Sequence, residues 1–71
     1  MVSDVLLLLN QVPFVPFLIR TSDGHEYTIP TGDHAWVVPE RNRIYVATND
    51  GSVTKIYPLH INGVVELRKD A

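Results

Sequence analysis

Seventy-one residues allow one domain, close to the lower size limit for a chain held together by an apolar core alone. The sequence has no cysteine, hence no disulfide or thiolate metal site to reinforce that core, and a reducing, cytoplasmic setting is the simplest expectation. A formal net charge of −2 excludes any general attraction to nucleic acid or anionic lipid and leaves only local patches.

The chain opens with Ser3 placed to cap a short helix over residues 3–11, with Asp4 favourable in its first turn and Val5 to Leu9 as its body. This apolar run is too short to span a bilayer and lacks the basic start of a signal peptide, so no membrane role is expected. Leu6, Leu7, Leu8 and Leu9 cannot all face one side of a helix, and part of the run must meet something other than its own core.

Pro13 and Pro16 fix their own φ and push Val12 and Val15 toward extended geometry, which makes 13–16 a stiff arm carrying Phe14 into a strand that starts at Phe17. The register of the first hairpin follows from its apolar set. A three-residue loop, Ser22-Asp23-Gly24 with Gly24 at positive φ, pairs Thr21 with His25, Ile19 with Tyr27 and Phe17 with Ile29, collecting the bulky apolar residues on one face. A two-residue loop would split them.

After the interruption at 30–33, Ala35-Trp36-Val37-Val38 forms a short strand closed by Pro39, and Arg43 to Thr48 forms the next. Asn49-Asp50-Gly51-Ser52 signals a second hairpin into Val53 to Tyr57. Its register stays open: a two- or four-residue loop groups Ile44 and Val46 with Val53 and Tyr57, whereas a three-residue loop aligns Ile44 with Ile56. Pro58-Leu59-His60 breaks the strand as a 3₁₀ turn, and Val64 to Leu67 makes the last strand. Five or six short strands and one helix describe a mainly β fold, a small SH3-like or Sm-like barrel occupying 17–67.

Pro13-Phe14-x-Pro16-Phe17-x-Ile19, followed by Asp23-Gly24-x-x-Tyr27 and Leu59-His60-Ile61, resembles a family of short uncharacterised bacterial proteins with a Pro-Phe-x-Pro-Phe entry and a closing Leu-His-Ile segment. The family's His-Pro pair is replaced here by Pro30-Thr31-Gly32-Asp33-His34. The resemblance implies the fold and carries no activity. A weaker likeness is to Sm-like RNA-binding proteins. Trp36 stands close to where their base-contacting Asn falls, and Ile61-Asn62-Gly63 has Asn62 in place of their Arg, so the likeness implies fold only.

Candidate sites must be weighed against plainer roles. Asp23-Gly24 and Asp50-Gly51 are explained by turn geometry. His25, His34 and His60 have no metal-like spacing, so no metal or other cofactor is expected. No Ser-His-Asp or Cys-His arrangement can be read, so enzymatic activity is not expected either. Arg20, Arg41 and Arg43, with Tyr45 and Trp36, form a candidate surface for single-stranded nucleic acid, although Arg41 and Arg43 flank a turn where solvated charge is ordinary. The stronger expectation is a homo-oligomer or protein-interaction module, with Leu6, Leu7, Leu8, Leu9, Phe14 and Trp36 as candidate interface residues.

Overall fold

A computed structural model describes residues 2–68. The order is α1 (Val2–Leu9), β1 (Phe17–Thr21), β2 (Glu26–Ile29), a 3₁₀ turn (Gly32–His34), β3 (Ala35–Val37), β4 (Ile44–Ala47), β5 (Val53–Ile56), a second 3₁₀ turn (Pro58–His60) and β6 (Ile61–Glu66). The strands make two antiparallel three-stranded sheets, β2-β1-β6 and β3-β4-β5. Among the described residues no ladder joins the sheets, so hydrogen bonding does not close them into a barrel.

The core lies between the sheets. In β1 the alternation of side chains sends Phe17, Ile19 and Thr21 inward and Leu18 and Arg20 outward. Ile29 and Ile61 join them from the same sheet, opposed by Ala35, Ile44, Val46 and Ile56. The helix contributes Val5, fully buried, with Val2, Leu8 and Leu9 packed around it. It lies against β3 and shares a hollow with β6.

The helix begins earlier than the sequence suggests. Ser3 sits inside its first turn, not ahead of it, because burial of Val5 and packing of Val2 extend the helical stretch back to Val2. The helix ends at Leu9, where the Asn10 backbone N–H (3.1 Å) and side-chain Nδ2 (2.9 Å) both donate to the Leu6 carbonyl. Phe14 packs against Phe17, ring centroids 6.0 Å apart, so the arm latches onto the core of its own chain.

The first hairpin has the expected register, with Ile19 opposite Tyr27 and Phe17 opposite Ile29. Gly24 is at φ +88°, and the Thr21 N–H donates to the His25 carbonyl at 3.0 Å. The second hairpin repeats it. Ile44 lies opposite Ile56, Gly51 is also at φ +88°, and the Thr48 N–H donates to the Ser52 carbonyl at 2.9 Å, which settles the open register in favour of the three-residue loop.

A Cβ built on Gly24 meets nothing within 4 Å, so substitution there acts through backbone strain and not through crowding. Gly24→Val is expected to cost about 1–2 kcal/mol, seen as a lower urea midpoint with an unchanged slope.

β6 starts at Ile61, three residues before the expected strand. Asn62 and Gly63 are poor strand formers, but Ile61 is buried opposite Thr21, and a register shift between Arg20 and Thr21 absorbs the extra residue.

Candidate functional site

Two regions carry features the core does not explain. The first is the outward face of the second sheet. Trp36, Tyr45 and Lys55 are direct cross-strand neighbours, forming a row across β3, β4 and β5. Ala35 and Val37 point into the core, so alternation turns Trp36 out, and it is 49% exposed. The Trp36 side chain therefore lies outside the core.

Arg43 precedes β4 on the Tyr45 side of the alternation, its carbonyl accepting from the Val38 N–H at 3.2 Å. Its Nε is shielded from solvent and has no hydrogen-bond partner in the chain. Tyr57 follows Lys55 on the same face, 46% exposed, with the Lys55 ammonium 5.4 Å from its ring centroid.

The other predicted arginines lie elsewhere. Arg20 is on the outward side of the first sheet, its Nε 3.0 Å from Glu26 Oε2. Arg41 occupies the β3–β4 turn at φ +60°. The structure therefore keeps Arg43, Tyr45 and Trp36 together, separates Arg20, and adds Lys55 and Tyr57. The added residues were signalled by strand alternation alone, which could be used only once the second register was known.

Around the β5 edge this face runs into a cleft of ≈210 Å³, lined by the first turn, Tyr27, Lys55, Tyr57 and His60. The cleft is shaped by the Ser22 N–H donating to the His60 carbonyl at 2.8 Å, which ties the first turn to the second 3₁₀ turn.

The second region is the outer edge of β6 with α1 beside it. Asp4, Leu7, Leu8, Val64 and Glu66 line a shallow hollow of ≈350 Å³. Leu7 is 74% exposed, whereas Leu8 and Leu9 pack against the core and Leu6 is half-buried. Of the expected interface set, Leu7 stands out here, Phe14 is drawn inward, and Trp36 belongs to the other sheet.

The histidines are dispersed. His25 Nδ1 lies 3.0 Å from Asp23 Oδ2, His34 Nδ1 lies 2.7 Å from the Thr31 hydroxyl, and His60 is in the second 3₁₀ turn. Among the described residues no three His, Asp or Glu side chains converge on a point that could hold a metal ion.

Both turn aspartates are held acidic. The Thr21 hydroxyl and the His25 N–H donate to Asp23, lowering its pKa to about 2, and Ser52 and Thr48 do the same to Asp50, also to about 2. Their ordinary value is 3.8. Depressed carboxylates stabilise the fold fully above the unfolded value and cease to do so as pH falls through the folded one. Stability should therefore drop between about pH 4 and about pH 2, and in acid titrations followed by circular dichroism Asp23→Asn with Asp50→Asn should flatten that drop.

No protein-family model matches the chain, and no curated protein matches it. Among solved structures it is similar to the solution NMR structure of a "putative lipoprotein" from Pseudomonas syringae, at 23% identity over 75% of this chain and 93% of that one, with a TM-score of 0.54. The likeness is one of fold. It supports a small β-rich architecture and assigns no activity.

Proposed function

We propose that the protein is a non-enzymatic interaction module that pairs with a second copy of itself through the outer edge of β6. The observation that carries this reading is the exposed Leu7 in a hollow beside an unpaired strand edge. Among the described residues β6 pairs with β1 alone. The Leu67 N–H donates to Pro16, so alternation points the backbone groups of Val64 and Glu66 away from β1.

A second β6 laid antiparallel about a two-fold axis would satisfy those groups on both chains and make one six-stranded sheet. It would bring each Leu7 hollow against the partner and remove an edge that otherwise invites uncontrolled pairing. In the same reading the two sheets and the 3₁₀ turn before β6 follow an SH3-like or Sm-like plan. Amide exchange tests the site of contact: raising protein concentration should slow exchange at Val64 and Glu66 and leave β3 unchanged, and concentration-independent exchange at β6 would count against the reading.

The cytoplasmic setting expected from the lack of cysteine is part of this proposal. The Pseudomonas syringae protein is named a "putative lipoprotein", and a membrane-associated setting is the alternative to the cytoplasmic one. Among the described residues no helix is long and apolar enough to cross a membrane. Fractionation of native cells separates the two settings.

A further inference from the structure

The outward face of the second sheet has no part in the β6 pairing and needs its own explanation. Three aromatic side chains, Trp36, Tyr45 and Tyr57, share it with two cations, Arg43 and Lys55. None of the sheet's outward positions carries a carboxylate, although the chain as a whole has eight acidic residues against six basic ones. Among the described residues no carboxylate pairs with Arg43 or Lys55, in contrast to Arg20 and Arg68, which are held by Glu26 and Glu66.

We propose that this face is a track for single-stranded nucleic acid, with bases stacking on Trp36, Tyr45 and Tyr57 and backbone phosphates met by Arg43 and Lys55. Stacking needs flat, accessible rings on a rigid support. A β-sheet supplies this, because neighbouring strands set side chains about 5 Å apart across the row and alternate residues about 7 Å apart along each strand. Cations interleaved with the rings stand within reach of the phosphates of a stacked strand, and the flexible Lys55 side chain, its ammonium over the Tyr57 ring in the free chain, can turn from the ring to a phosphate. An acidic peptide would use the cations but would gain little from the exposed Trp36 and Tyr57 rings and the half-buried Tyr45, which is why nucleic acid is favoured.

Trp36 is the only tryptophan, so its fluorescence reports occupancy of the face directly. Titration of the full chain with oligouridine and oligothymidine should give saturable quenching. The affinity should fall with salt on a log–log slope of about −1.4, the value for two phosphates on a single strand. Tyr57→Ala should weaken binding about tenfold. Lys55→Gln should reduce the slope by about 0.7, and Arg20→Gln should change neither quantity. Both Lys55 and Tyr57 are exposed, so these variants should fold normally, as circular dichroism will show. Absence of quenching by both oligonucleotides would overturn the proposal, as would polyglutamate binding as tightly as the oligonucleotides with no loss on Tyr57→Ala.

Discussion

Phe17→Ala should remove roughly half of the chain's stability. Phe17 is fully buried in the central strand of the first sheet, opposite Ile29 on one side and Glu66 on the other, with Phe14 latched against its ring. Truncating a buried phenylalanine costs about 3–5 kcal/mol through lost transfer energy and the cavity left behind. A chain of 71 residues holds only about 4–10 kcal/mol in total, with no disulfide to limit the damage. The variant should unfold at a urea midpoint roughly half that of the wild type. A native-like midpoint would mean that Phe14 or the leucines of α1 can refill the space.

Leu7→Glu should have the opposite profile, losing self-association while keeping the fold. Leu7 is mostly exposed in the single chain, so its replacement removes little intramolecular burial. In a two-fold pair it counts twice, and burying a leucine is worth about 1.5–3 kcal/mol relative to exposure. The new carboxylates would also join Asp4 and Glu66 around the hollow. The combined loss should weaken pairing by at least about a hundredfold, with the urea midpoint of the monomer almost unchanged. Leu8→Glu is the contrasting variant: Leu8 packs against the core, so that substitution should lower stability itself.

The first hairpin was legible in the sequence because one loop length alone gathers Phe17, Ile19, Tyr27 and Ile29 on one face. The second was not settled by that criterion, since each register left a plausible apolar group together. Its signal lay in the turn: Thr21-Ser22-Asp23-Gly24 and Thr48-Asn49-Asp50-Gly51 share a Thr-x-Asp-Gly pattern and adopt the same geometry, with the threonine hydroxyl bonded to the aspartate in both.

Trp36 was hard to place because it sits in an unbroken apolar run, where hydrophobicity cannot say which residues face inward. The start of β6 at Ile61 depends on a bulge within β6, where Asn62 has no partner between Gly63 opposite Arg20 and Ile61 opposite Thr21, and hydrophobic pattern does not mark that position. The separation of Arg20 from Arg43 is a property of two sheets, and the spacing of the residues along the chain does not contain it.

The measurement that bears most directly on the interaction-module reading is the mass of the protein in solution across a dilution series, by sedimentation equilibrium on wild type and Leu7→Glu. The expected result is a wild-type species of about 16 kDa, twice the 8.0 kDa chain, at micromolar concentration. It should dissociate on dilution, while the variant stays at the mass of a single chain. A folded wild-type monomer throughout, or a dimer that Leu7→Glu leaves intact, would contradict pairing through α1 and the β6 edge.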